Sequence, residues 1–497
     1  MKELYTEALF LFDQLFFSGS VTKINQRQLF NSFWMAGYEC SDQLNCFGNR
    51  VDLLAETKHL ENIAGDYKKL LRFDIKTVRE GIRWTVVETS PYQYDFSSVK
   101  KMMDAGAKYG IQQIWDICHF GYPDDLTPVH PQFTNRFTAL CRAFARFYRE
   151  HRPDGKFIVT PINEVGFISW LGGEVAGTSP YGVRMGWEVK YALVKAYIKG
   201  IEALKEEDPS IMILVTEPLV SIVPPLHPTP EDISRAKEQH YIQYQVMDML
   251  TGRMCPELGG RPGLIDVVGL NFYYNNQWIV GAGEFLPWAN AGQDPRWRSL
   301  SSLLIEVQKR YTLPLIIAET SHPQEDRPLW ITHITRSCQV AIEAGVKLLG
   351  VCLYPIIDRP DWDHLDNWHR AGLWDADPAE PDKRILYRPY AKALLKAQKF
   401  IRSTGIDNLA ASNNDDTAAT NADNHCASSA DKSSYLNNDS ISNPVNHIDV
   451  LHKDISDQNN NSEGPGDHTI QTTKNNLNNI NNDIIKNNNL ENPDHTT

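Results

Sequence analysis

The chain has 497 residues, 42% hydrophobic and 22% charged, with 12 Trp, 20 Tyr and 19 Phe, so a large core is available and wholesale disorder is excluded. Its formal charge of -13 argues against a nucleic-acid partner, because phosphate contacts need clustered Lys and Arg. The charge is unevenly placed: residues 404–497 hold 14 Asp and Glu against 4 Lys and Arg, which leaves the preceding part nearly neutral.

Residues 1–30 read as an N-terminal extension that packs on the folded part. Their apolar stretch from Ala8 to Phe12 is broken by Asp13, follows no basic cluster and precedes no small-residue cleavage site, so it is a poor targeting signal. No uncharged run in the chain approaches the roughly 20 apolar residues of a membrane span, and no membrane partner is expected. The eight cysteines are dispersed without paired spacing and several fall in apolar runs, which suits reduced thiols and a cytoplasmic location.

From residue 31 to 403, short apolar runs alternate with longer segments of helical period. The candidate strands are 33–36, 77–82, 113–117, 157–162, 211–215, 267–270, 315–318 and 348–353, and clear helical patterns cover 137–149 and 330–344. Eight such units predict an α/β fold of one (β/α)8 TIM barrel with long βα loops. A doubly wound sheet would also alternate, but no Gly-rich dinucleotide or phosphate loop follows any strand. Residues 404–497, rich in Asn, Asp and Ser with runs such as Asn487-Asn488-Asn489, read as a disordered tail.

In a barrel of this kind the carboxyl ends of the strands form one face, where chemistry is expected. The sequence places there Glu39 after the first strand, Arg79, Arg83 and Trp84 around the second, and His119 after the third. Asn163 and Glu164 follow the fourth, Glu217 the fifth, Asn271 and Tyr273 the sixth, Glu319 the seventh, and Tyr354, Asp358, Asp361 and Trp362 the eighth. A single carboxylate at such a position is commonly a helix cap. Glu164 and Glu319, however, each end a very apolar strand and must be desolvated unless they face a polar cleft.

Several of these segments resemble glycoside hydrolase family 1, the β-glucosidase type within clan A. Thr160-Pro161-Ile162-Asn163-Glu164 resembles the fourth-strand Asn-Glu signature and Ile316-Ile317-Ala318-Glu319-Thr320 the seventh-strand nucleophile motif. His119 to Pro123 is similar to the third-strand His-Trp-Asp-Leu-Pro, Gly269 to Tyr273 to the sixth-strand Gly-Leu-Asn-Tyr-Tyr. The segment from Gly350 to Trp362 aligns without a gap to the eighth-strand motif, preserving Gly350, Asp358 and Trp362. The resemblance spans roughly residues 31 to 402 and implies a retaining glycosidase acting on a carbohydrate or glycoside by double displacement, without a cofactor.

Acetal cleavage needs one carboxylic acid to protonate the leaving oxygen and one carboxylate to meet the anomeric carbon. The resemblance assigns Glu319 as nucleophile, with Arg79 and Tyr273 as its expected partners, and Glu164 as general acid, then base. It further implies that Asn163 donates to the sugar 2-hydroxyl and that His119 reaches a 3-hydroxyl, unless that histidine is structural. Asn271, Tyr354, Asp361, Trp362 and Glu39 are expected to support or bind the substrate, and Asp358 is either of these or a loop cap. Trp84, Trp170, Trp278, Trp288 and Trp297 either line outer loops or pack in the core. No metal-ligand spacing is visible.

The sequence also departs from the family pattern. Gly37-Tyr38-Glu39-Cys40 stands where a Gln-x-Glu-Gly glycone element is usual, Tyr354 replaces a Trp, Asp361 replaces a Glu, and Thr320-Ser321-His322 replaces the Asn-Gly after the nucleophile. These are positions that read the sugar, so the glycone preference is expected to have diverged. Transglycosylation with the same carboxylates and a non-catalytic sugar-binding barrel are the alternatives.

Overall fold

The computed structural model describes residues 29–290, 294–377 and 379–403. The disordered tail expected over 404–497 and nearly all of the extension expected over 1–30 therefore lie outside the described residues. Among the described residues no helix is long and apolar enough to cross a membrane.

The eight apolar runs form parallel strands β1 (Trp34–Gly37), β2 (Thr77–Gly81), β3 (Gln112–Cys118), β4 (Ile158–Ile162), β5 (Met212–Pro218), β6 (Val267–Asn271), β7 (Leu315–Thr320) and β8 (Leu348–Leu353). Each pairs with its neighbour in sequence, and β8 closes on β1 through Trp34 with Val351, Met35 with Cys352 and Ala36 with Leu353. Side chains alternate across a strand, so one set points into the barrel and the other toward the helices. The inward set includes Met35, Ile114, Ile158, Leu214, Val267, Ile316 and Cys352, with Leu29 and Phe30 in the same cluster.

Among the described residues eight main helices cover the outside: α1 (His59–Leu71), α2 (Ser97–Tyr109), α3 (Phe133–His151), α4 (Gly186–Glu207), α5 (Pro230–Ile242), α6 (Leu300–Tyr311), α7 (Arg327–Glu343) and α8 (Arg388–Ser403). In α3 the buried Phe133, Phe137, Leu140, Cys141, Phe144 and Tyr148 recur every three or four residues, which puts them on one face of a 3.6-residue helix. The helices observed at α3 and α7 start earlier than the periodicity alone predicts.

Several strands run one to three residues further than their apolar cores, to Pro218 in β5, Asn271 in β6 and Thr320 in β7. Polar residues remain in the ladder there because the barrel mouth supplies them with partners. β7 is irregular at this point: Ile317 pairs with Leu270 and Glu319 with Asn271, so two steps on β7 answer one on β6. Ala318 is the extra residue of a β-bulge. Strict alternation after the inward Ile316 and Ala318 would turn Glu319 outward, and the bulge turns it back into the mouth.

Candidate active site

Arg79 organises the floor of the mouth. It is completely buried at the side chain, a costly place for a cation unless acceptors surround it. Its Nη1 donates to Glu319 Oε1 and to the Ala318 carbonyl, both at 2.9 Å. Its Nη2 donates to Asp116 Oδ2 at 2.6 Å and to Asn163 Oδ1 at 3.2 Å. The other Glu319 oxygen, Oε2, accepts from the Tyr273 hydroxyl at 2.8 Å. Glu319 is thus held by a guanidinium on one oxygen and a phenol on the other, the two partners expected from the sequence.

Glu164 lies in a different environment. Its backbone is left-handed, with φ of 47°, a conformation that costs a non-glycine residue about 1–3 kcal/mol and that recurs at functional sites. Its amide donates to the Thr216 carbonyl at 3.0 Å, and its Oε1 accepts from Asn271 Nδ2 at 2.7 Å. Burial first, and then the negative charge of Glu319, push the Glu164 carboxyl up to about 8. One carboxyl group therefore meets a donor on each oxygen, and the other is buried so that it keeps its proton at neutral pH.

Asn163 and His119 extend the network. Asn163 Oδ1 accepts from Arg79 and from Thr216 Oγ1 at 2.7 Å, so its amide cannot turn and Nδ2 faces His119 Nε2 at 3.2 Å. His119 Nδ1 meets Asp116 Oδ2 at 3.0 Å. Burial disfavours an imidazolium, but Cys40, Asp116 and Glu39 outweigh it and push the His119 pKa up. The fixed Asn163 amide works against that direction, because its Nδ2 can only donate toward Nε2 and so favours the ring with Nδ1–H on Asp116 and Nε2 as acceptor.

Tyr354 stacks on His119 with an interplanar angle of 4°, and its hydroxyl donates to Glu39 Oε1 at 3.3 Å. This ring lies so close to β1 that a Cβ on Gly37 would sit 2.0 Å from Tyr354 Cδ2. Glu39 also accepts from Ser41 Oγ at 2.8 Å and lies 3.5 Å from Arg359 Nε. Burial would raise the Glu39 carboxyl, but Arg359, His119 and the Ser41 hydrogen bonds together outweigh it and keep it below the usual range.

The structure thus brings Glu39, Arg79, His119, Asn163, Glu164, Asn271, Tyr273, Glu319 and Tyr354 to one mouth. Trp362 joins through Arg359, whose guanidinium lies 5.5 Å from its ring, and packs edge-on to Phe120. Asp361 accepts backbone N–H groups from Asp363 and His364 and faces His369, so it braces the loop after β8. Asp358 is buried, accepts from the Ala371 amide at 3.2 Å and makes no contact with the two glutamates, which is the loop-cap role. Trp84 is fully buried and donates to Glu88, Trp297 packs on the small cluster of Val223, Ile279 and Leu286, and Trp288 donates to His322. Trp170, 42% exposed, stands at the surface beside Phe167.

Asp116 and Thr216 were not singled out from the sequence. A carboxylate in the middle of the apolar run Gln113-Ile114-Trp115-Asp116-Ile117 was the available signal, since it can be buried there only with partners. Thr216 gave none. Cys40, Asp116 and His119 also place ligand atoms within 4.8 Å of one another, an arrangement that linear spacing hides. Asp116 Oδ2, however, already receives Arg79 and His119, and the adjoining guanidinium repels a cation, so the trio does not fit a metal.

No protein-family model matches the chain, and no curated protein matches it. Solved structures do. A family 1 β-glucosidase from Thermotoga maritima matches with a TM-score of 0.58 at 16% identity, over 74% of this chain and 97% of that one. The same organism's β-glucosidase in complex with glucoimidazole matches with 0.59 at 16% identity, over 74% and 98%. A T. maritima family 1 glycoside hydrolase complexed with a cyclophellitol analogue transition-state mimic matches with 0.58 at 15% identity, over 74% and 97%. The barrel is therefore similar to that of family 1 glycosidases, at a distance where the likeness is one of fold.

Proposed function

We propose that this protein is a retaining glycosidase that hydrolyses a β-glycosidic bond through a covalent glycosyl-enzyme, with Glu319 as nucleophile and Glu164 as general acid and then base. The observation that carries the reading is the opposed surroundings of the two glutamates: Arg79 and Tyr273 on Glu319, burial and the Glu319 charge on Glu164. The similar T. maritima structures, which include complexes with a glucoimidazole and a transition-state mimic, add that a barrel of this shape accepts sugar-like ligands.

In the first step a Glu319 oxygen bonds to the anomeric carbon as the bond to the aglycone oxygen breaks, and the Glu164 proton passes to that oxygen. Once Glu319 is esterified its charge is gone, and one of the causes that raise Glu164 disappears with it. Glu164 becomes a better-stabilised carboxylate, suited to take a proton from the incoming water. Water then bonds to the anomeric carbon, Glu319 departs as carboxylate and Glu164 regains its proton. Asn163, fixed by Arg79 and Thr216, presents its remaining N–H toward the sugar side of His119.

Replacing Glu319 with Gly or Ala should abolish turnover of an activated aryl β-glycoside, and azide should restore it with formation of the glycosyl azide of inverted configuration. The glycone is to be chosen from gluco, galacto, fuco, manno and xylo forms by wild-type turnover. Unchanged activity in either variant would refute the assignment.

A further inference from the structure

One buried carboxyl group at the end of β5 has no part in that scheme. Glu217 is the sixth residue of β5 and is 1% exposed. Its Oε2 accepts the Gly166 amide at 2.9 Å, while Oε1 has no hydrogen-bond partner among the described residues. No ion pair to it is present among those residues either: the nearby Lys190 donates instead to Gln245 Oε1 at 2.7 Å. A carboxyl group desolvated beside the Gly166 N–H with no charged partner bonded to it is an expensive arrangement.

What that N–H belongs to explains the expense. Gly166 is the second residue of the short helical turn Val165–Ile168, which begins directly after Glu164 and whose Ile168 amide donates to the Glu164 carbonyl at 2.9 Å. The residue before Glu217, Thr216, accepts the Glu164 amide through its carbonyl and donates its hydroxyl to Asn163. The end of β5 therefore grips the Asn163-Glu164 pair from both sides, Thr216 before and at Glu164, Glu217 just after it. The fit leaves no slack, since a Cβ on Gly166 would lie 2.6 Å from Glu217 Oε2. A left-handed residue such as Glu164 keeps its conformation only where its surroundings over-determine it.

We infer that Glu217 is a positioning residue for Glu164: by anchoring the Gly166 amide it fixes the turn that aims the acid at the leaving-group oxygen. The inference rests on Glu164 acting as the acid. Protonation of the leaving group matters for a poor leaving group and hardly at all for a very good one, so a misaimed acid has a signature that general damage lacks.

The test measures kcat/KM for phenyl and 2,4-dinitrophenyl β-glycosides of the preferred glycone. Glu217→Ala should lower the phenyl value about 100-fold relative to the dinitrophenyl value. Glu217→Gln, whose side-chain carbonyl can still accept the Gly166 amide, should restore the wild-type ratio. Gly166→Ala, which leaves Glu217 in place but pushes its carboxyl group away, should reproduce the Glu217→Ala ratio and keeps the test open should that variant fail to fold. Equal losses on both substrates, failure of Gln to restore the ratio, or a wild-type ratio in Gly166→Ala would overturn the inference while leaving the glycosidase reading intact. A wild-type protein inactive on both substrates would overturn the reading of Glu164 and this inference together.

Discussion

Glu164 carries a testable electrostatic consequence. Burial and Glu319 raise its carboxyl to about 8, and the general acid must hold its proton when the leaving group departs. Glu164 is protonated below that value and ionised above it, so kcat/KM for a poor leaving group should fall as pH rises through about 8. Glu319→Gln removes the opposing charge and should move the Glu164 titration downward, which carboxyl 13C NMR on the labelled variant would report. A Glu164 titration that stays in place would mean that burial alone sets it. Both glutamates were legible in the sequence because an ionisable side chain at the end of an apolar strand is hard to explain as packing. The partners were less so: Tyr273 stood just past the sixth strand and Arg79 within the second, whereas Asp116 lay hidden within an apolar strand core, and Glu217 offered no sign of the amide it binds.

Among the elements, the strands were the easiest to read, since an all-parallel barrel is covered on both faces and its strands become continuous apolar runs. Their ends were not, and the bulge at Ala318 could not be, because a bulge belongs to the pairing of β7 with β6 and not to either sequence. A second feature invisible in sequence joins α1 to β2 and to the strand Glu380–Leu386. His59, fully buried, bonds Asp66 Oδ2 at 2.8 Å and Glu80 Oε1 at 3.0 Å, Tyr67 donates to Glu80 at 2.7 Å, and Arg384 clamps Asp66 with two bonds of 3.0 Å. Tyr38 stacks on the imidazole at 3.5 Å.

Burial alone would lower the His59 pKa, but Glu80 and Asp66 outweigh it and push it up to about 9, from an ordinary value of 6.5. A raised folded-state pKa contributes stability that is fully present below the unfolded value and is lost as pH rises through the folded one. That contribution, on the order of 3 kcal/mol, should fade between pH 6.5 and about 9. His59→Ala strands Glu80 and part of Asp66, and should cost about 3–5 kcal/mol in urea unfolding at pH 6, with a smaller deficit near pH 10. An equal deficit at both would show that packing against Tyr38, and not charge, is what His59 provides.

At the scale of the whole molecule, 74% of the chain suffices to cover 97% of the T. maritima enzyme, so the barrel accounts for the matched fold and a quarter of this chain lies beyond it. Ten of the thirteen net negative charges belong to residues 404–497, whose composition offers no apolar set for a core. Removing everything after Ser403 should leave turnover and Tm unchanged, as measured by steady-state kinetics and calorimetry. A loss of either would assign that segment a role in the barrel's stability or site. The family resemblance was legible in motifs taken together and in their order along the chain. The sugar was not, because Gly37, Cys40, Tyr354 and Asp361 depart from the pattern at the positions that would read it.

In the proposed reaction Glu319 becomes covalently glycosylated. Incubation with activated 2-deoxy-2-fluoro β-glycosides of the accepted glycone, followed by proteolysis and mass spectrometry, tests it directly: the fluorosugar slows breakdown of the intermediate more than its formation. Inactivation is expected with one label per chain, on the peptide containing Glu319, and turnover should recover when the label is released to an added acceptor. Label on another residue, or continued hydrolysis of the parent glycoside with no covalent adduct, would contradict it.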